Sequence, residues 1–286
     1  MTEFLATCWT HSGDSYPYPG EDVSSLDFMD RAAAVAEAGY TGIGIFSKDL
    51  LVALRSNSLD DIAARLRDLG LVHIELEFLT DWWADGEARA VADADRAVVL
   101  KAAEVLGAGH VKIGAHVSKE AGSEPPELDV EFLAPALRDL AEDAERHGTR
   151  LALEFLPMSN VATADDAMRL IRAADHPAVG VCVDIWHVER GQTTLEQIRN
   201  LRADRVVAVE LNDAFRHPQT DIYADTLHHR VLPGDGDFDL AGFVGALRST
   251  GFDGPWGVEI LSADARARPI REVLLPARLA AQSFVG

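Results

Sequence analysis

Four carboxylates end four apolar runs in the second half of the chain: Glu154 in LALEF, Asp184 in VGVCVDIWH, Glu210 in RVVAVELND and Glu259 in GPWGVEI. Each run reads as a short buried strand, where an unpaired charge costs several kcal/mol. Any one of these carboxylates alone could equally close its strand and face water. Repeated four times, about one strand-plus-helix unit apart, the arrangement is explained most simply by convergence on a divalent cation at one end of a parallel barrel. Carboxylate oxygens suit the hard cations Mg²⁺, Mn²⁺ and Ca²⁺, with other first-row metals admitted. Four ionised ligands around one dication leave a negative excess. His187, Arg230 and Lys112, the lone strand-end lysine, are the candidates to offset it.

The elements that would carry these residues follow one recurring theme: a helical stretch, a glycine, then a short apolar strand. It appears in AAAVAEAGYTGIGIF, RLRDLGLVHIELEF, KAAEVLGAGHVKIG, LAEDAERHGTRLALEF and GALRSTGFDGPWGVEI. Gly39, Gly70, Gly107, Gly148 and Gly251 suit the left-handed position that ends a helix. Ser58 with Asp61, and Thr163 with Asp166, have the spacing of a helix-starting capping box. The expected strands are Phe4–Cys8, Gly42–Phe46, Val72–Phe78, His110–Ile113, Arg150–Phe155, Val179–Asp184, Val206–Leu211 and Trp256–Ile260. Strict alternation with helices implies parallel strands and right-handed crossovers. Such units in 286 residues give an α/β fold of the (β/α)8 TIM-barrel type. A doubly wound open sheet would favour an early glycine-rich phosphate loop, and G-x-G-x-x-G is absent. No linker splits the chain, so residues 1–286 are expected to form one barrel domain, with Gly122–Asp129 (GSEPPELD) as a loop before a helix. The C-terminal ends of barrel strands form the active face. The four carboxylates fall there, as do Glu77 and His187.

Composition narrows the function. A net charge of −21 leaves no basic stripe for phosphates, which argues against nucleic acid and against anionic membrane surfaces. No apolar run is long enough to span a bilayer, and no basic-then-apolar leader precedes LATCWTHSGD, so a cytoplasmic enzyme is expected. Cys8 and Cys182 lie in apolar runs and read as core thiols. Self-association into a homo-oligomer stays open.

The motif set resembles the sugar phosphate isomerase/epimerase family with the xylose isomerase-like TIM barrel, from LATCWTHSGD to GPWGVEILS. In that family a Glu, an Asp, a His or Gln, and a Glu from strands five to eight hold one Mn²⁺, Mg²⁺ or Co²⁺. Glu154, Asp184 and Glu259 match residue for residue. Glu210 stands where the family commonly has His in V-H-x-x-D; this chain reads VELND, a harder and more acidic set. Glu210 could instead reach a substrate hydroxyl or Arg230. The resemblance further implies that Glu154 and Glu259 double as acid/base groups. It also implies that His187, three residues after Asp184, contacts substrate hydroxyls, and that Arg230 in HHRVLPGDGDFDL binds substrate. Glu77 and Lys112 are further substrate-binding candidates on the same face. The five tryptophans, Trp9, Trp82, Trp83, Trp186 and Trp256, suit a sugar-binding wall, although each alone suits core packing as well.

The chemistry implied is enolisation of a sugar or related polyol ketone by a divalent cation and a carboxylate pair. Proton return gives an isomerase or epimerase, the leading expectation. Loss of a β-hydroxyl gives a lyase of the inosose, dehydroshikimate or oxidised-glycoside type. The run AGYTGIGIFSKDLL resembles the dehydroshikimate dehydratases. A non-catalytic metal or sugar binder is the third reading. The apurinic endonucleases on the same fold need more histidines and a basic face.

Overall fold

The computed structural model describes residues 2–117 and 124–286. Part of the expected loop at Gly122–Asp129 therefore lies outside the described residues. Eight strands close into a barrel in chain order: β1 (Phe4–Ala6), β2 (Gly42–Phe46), β3 (His73–Leu79), β4 (His110–Gly114), β5 (Arg150–Glu154), β6 (Val179–Asp184), β7 (Val206–Leu211) and β8 (Trp256–Val258). Every neighbouring pair is parallel, and β8 closes on β1.

Three strands fall where the sequence put them: Gly42–Phe46, Val179–Asp184 and Val206–Leu211. The others differ by one or two residues at an end. The first is shorter than expected because Cys8 opens a helical turn, Cys8–His11, instead of extending the strand. β8 ends at Val258, so Glu259 lies one residue past its strand. Both cysteines are buried and free.

Alternation decides what faces where. Leu151, Leu153, Val181, Val183, Val209 and Leu211 point outward and pack with the surrounding helices in the main core. The intervening positions point into the lumen, and Ala152, Cys182 and Ala208 form a small apolar layer there. Directly above that layer, two residues on along the same strands, stand Glu154, Asp184 and Glu210. Small residues below leave room for charged ones above. Gly257 shows the same economy, since a Cβ there would stand 2.4 Å from Val209 O and 3.2 Å from the Glu210 stem.

Helix ends obey the expected chemistry. Ser58 and Asp61 form the full reciprocal capping box, and Thr163 accepts from Asp166 N. All five glycines read as helix stops have positive φ, between +69° and +88°. No helix among the described residues is long and apolar enough to cross a membrane.

Candidate active site

Strand register brings the carboxylates together. Asp184 on β6 pairs with Glu210 on β7, Glu210 with Gly257 on β8, and Glu154 ends β5 next to Cys182 of β6. Glu154, Asp184, Glu210 and Glu259 each offer an oxygen, and these oxygens lie within 4.8 Å of one another. All four residues are buried.

Two side-chain cations, Lys112 and Arg230, bracket the cluster. Lys112 sits in the middle of β4, not at its end, and its side chain crosses the lumen. Its Nζ lies 2.6 Å from Glu210 Oε1, 3.3 Å from Glu259 Oε1 and 3.1 Å from Glu77 Oε2. Arg230 Nη1 donates to Asp184 Oδ2 at 2.6 Å and to Glu259 Oε2 at 3.0 Å. Its remaining contacts, Nε to Thr226 O and Nη2 to Thr226 Oγ1, lock the guanidinium over the Trp186 ring. His187 Nε2 lies 3.3 Å from Glu154 Oε1 and 3.7 Å from Asp184 Oδ2. Glu77 Oε1 accepts from Cys8 N at 3.2 Å, which anchors this carboxylate to the first residue of the helical turn after β1.

This crowding separates the carboxyl pKa values. Burial alone would raise Glu154, but Lys112, with His187 and Arg230, overrides it and holds the group at about 2. Burial and the Glu259 charge push Glu210 well above the usual carboxylate range. Burial also raises Glu259, against the pull of Lys112 and Arg230. Glu77 is pushed by burial to about 7, with Lys112 opposing the shift and Glu75 adding to it. Burial would lower the Lys112 ammonium, yet the surrounding charges of Glu154, Glu210, Glu259 and Glu77 raise it.

The donor set suits a hard cation. All four candidate ligands supply oxygen, and Glu210 Oε2 is buried without a hydrogen-bond partner. An unpaired buried carboxylate oxygen is costly unless something not yet counted satisfies it. Asp184 is held in place from behind: Oδ1 accepts from Trp186 N at 2.7 Å and from Asn212 Nδ2 at 2.8 Å. Asn212, two residues beyond Glu210 in VELND, is a site residue that sequence reasoning missed. The period of two puts it on the lumen side, which was the available signal. Asp213, next in the same motif, turns away and clamps a loop, accepting from the backbone N–H of Ala214, Gly234, Gly236 and Phe238.

A cavity of about 590 Å³ opens above the cluster. Glu77, Lys112, Glu154, His187, Arg230 and Glu259 reach it from below. Trp9, Phe46, Phe78 and Trp83 supply aromatic walls, with Lys48 and His116 nearer the rim. Only two of the five tryptophans serve as wall. Trp82 donates to Gly114 O, Trp186 lies wholly buried beneath Arg230, and Trp256 packs edge-on against Phe252.

A family model described as the xylose isomerase-like TIM barrel matches residues 32–277. The chain belongs to that family. Among curated members, the 3-dehydroshikimate dehydratase of Pseudomonas putida is 30% identical over 247 residues, 85% of this chain and 37% of the dehydratase. The chain thus spans little more than a third of that relative. The inosose isomerase of Bacillus velezensis is 26% identical over 155 residues, 54% of each chain. Among solved structures, a xylose isomerase-like TIM barrel/4-hydroxyphenylpyruvate dioxygenase fusion protein superposes with a TM-score of 0.80 at 26% identity, over 98% of this chain and 42% of the fusion. The IOLI protein with a bound zinc atom superposes with a TM-score of 0.82 at 21% identity, over 99% and 98% of the two chains. Within the xylose isomerase-like family, the relatives found by sequence are enzymes, dehydratases and isomerases alike.

Proposed function

We propose that residues 1–286 form one catalytic barrel domain, a divalent-cation-dependent lyase that dehydrates a polyhydroxylated ring ketone. The observation that carries this reading is the convergence of Glu154, Asp184, Glu210 and Glu259 beneath an aromatic-walled cavity, with Glu210 Oε2 left free. Those four residues would hold the cation, Mn²⁺ or Mg²⁺ by donor hardness, although a related barrel carries zinc. When bound, such a cation polarises a carbonyl and its neighbouring hydroxyl and stabilises the negative charge that follows proton loss.

The chain's own groups supply the rest. Glu154, held ionised, faces the cavity and is the candidate to take the proton beside the carbonyl. Glu259, which also reaches the cavity, is the candidate to pass a proton to the departing β-hydroxyl, which leaves as water while a conjugated C=C forms. His187 sits against Glu154 and reaches the cavity, where it can donate to a substrate hydroxyl. Arg230, with four of its five N–H donors engaged, orients Asp184 and Glu259 more than it grips substrate. The aromatic wall fits the apolar face of a ring and helps exclude water.

Dehydration is placed ahead of isomerisation because the dehydroshikimate dehydratases match 85% of the chain, whereas the inosose isomerases match about half. Isomerase or epimerase activity, the leading expectation from sequence, keeps the support of those isomerases and shares the same proton abstraction. One assay separates them. The purified protein with Mn²⁺ is incubated in D₂O with dehydroshikimate and with an inosose, following ultraviolet absorbance and deuterium uptake. Growth of a conjugated-carbonyl or aromatic band supports the lyase. Deuterium uptake with a new stereoisomer and no band supports the isomerase. Neither signal with either class overturns the enolisation reading.

A further inference from the structure

The position of Lys112 is unusual for a residue beside a cation site. Its ammonium reaches three of the four candidate ligands, each on or just beyond a different strand: Glu210 at 2.6 Å, Glu259 at 3.3 Å and Glu154 at 4.0 Å. That is the spot where a positive charge gains most from the cluster, and a divalent ion seeks the same spot for the same reason. The fourth ligand, Asp184, is neutralised separately by Arg230.

We propose that Lys112 is a tethered cation that holds the carboxylate cluster together in the metal-free protein, and that a divalent cation enters by exchange with its ammonium, which retreats to Glu77. The inference rests on the cation site proposed above. Three observations support the exchange. Glu77 already touches Lys112 at 3.1 Å and lies outside the candidate ligand set, so it can keep the ammonium paired after displacement. Glu77 is itself anchored through Cys8 N, so it stays behind when the other carboxylates close on the ion. Lys112 is also the mobile member of the two cations. An ammonium on a flexible stem can swing, whereas the Arg230 fork is fixed at once by Thr226, Asp184 and Glu259. The exchange explains why Glu77, a buried carboxylate outside the candidate ligand set, stands against the ammonium. Without Lys112 to hold, Glu77 would only add repulsion.

The consequence is that Lys112 limits affinity for the ion while stabilising the empty site. Mn²⁺ is titrated into the wild-type protein and Lys112→Met by calorimetry, and thermal midpoints are read with and without Mn²⁺. The expected result is at least tenfold tighter Mn²⁺ binding by Lys112→Met, together with a lower metal-free midpoint that Mn²⁺ restores. Equal or weaker binding by the variant overturns the exchange. Should Lys112→Met fail to fold, wild-type protein is treated with a small amine-acylating reagent and Lys112 is followed by peptide mass spectrometry. Acylation that rises on Mn²⁺ loading supports release of the ammonium; acylation that is unchanged or falls overturns it. Absence of Mn²⁺ binding by both proteins would instead sink the cation site itself, and the exchange with it.

Discussion

Asp184 and Arg230 stand 46 residues apart in sequence and meet at 2.6 Å in the barrel lumen, both almost wholly buried. The guanidinium also reaches Glu259, so one residue sets the spacing of two candidate ligands. Breaking one partner of a buried pair leaves the other charge stranded, at a cost of about 3–5 kcal/mol. Arg230→Met should therefore lower stability to denaturant by about that amount. Adding Asp184→Asn in the same chain should recover part of the loss, because the stranded charge is then gone. Full additivity of the two changes would show that the pair carries no coupling.

Glu210 keeps one carboxylate oxygen buried and unpartnered, which makes it the most informative candidate ligand to vary. Glu210→Ala should weaken Mn²⁺ binding by more than the roughly 10–100-fold that loss of an outer-shell partner costs. Glu210→His should move preference towards Co²⁺ or Zn²⁺ by adding a nitrogen donor. Calorimetric titration with each ion reads both. Unchanged affinity and selectivity in both variants would leave Glu210 as a substrate contact.

Glu154 and Glu259 carry the proposed proton transfers. At saturating Mn²⁺, Glu154→Gln should abolish deuterium uptake at the substrate carbon, with turnover lowered about 10²–10⁴-fold. Glu259→Gln should lower dehydration by a similar factor yet retain some exchange, since it acts after the first proton has left. Retained exchange in Glu154→Gln would assign the base elsewhere.

Acid lability should come in part from a residue outside the site. His11 Nε2 donates to Gly44 O at 2.9 Å and Nδ1 faces the Arg31 guanidinium at 3.4 Å. Burial, aided by Arg31, lowers its pKa from 6.5 to about 3. Between those values the unfolded chain binds a proton that the folded chain refuses, so this contribution to stability is lost as pH falls through that window. The slope is at most about 1.4 kcal/mol per pH unit. Glu77 acts oppositely, because its pKa is raised from 4.5 to about 7 and its contribution is lost as pH rises through that range. Comparing wild type with His11→Gln by urea unfolding at several pH values isolates the histidine, and the variant should lose stability less steeply on acidification. Parallel pH curves would show that His11 takes up a proton without unfolding.

Much of this arrangement is legible in the chain because strand periodicity carries it. Asp184 and Glu210 terminate runs such as VGVCVD and VVAVEL, and parallel register makes them neighbours without further information. What escaped sequence reasoning depends on reach across the lumen. Lys112 reads as a strand-end lysine, yet it lies mid-strand and its long stem carries the charge to carboxylates on other strands. Asn212 and Thr226 matter only through Asp184 and Arg230, partners brought close by barrel closure. The tryptophans divide between wall and core by helix and loop packing that local pattern does not encode.

The proposed function stands or falls on one divalent cation held among Glu154, Asp184, Glu210 and Glu259. Anomalous scattering from a crystal soaked in Mn²⁺ tests it most directly. A single strong peak is expected in the lumen, with oxygens of those four residues at roughly 2.0–2.6 Å. No peak there, or a peak coordinated by residues away from these strand ends, would contradict it.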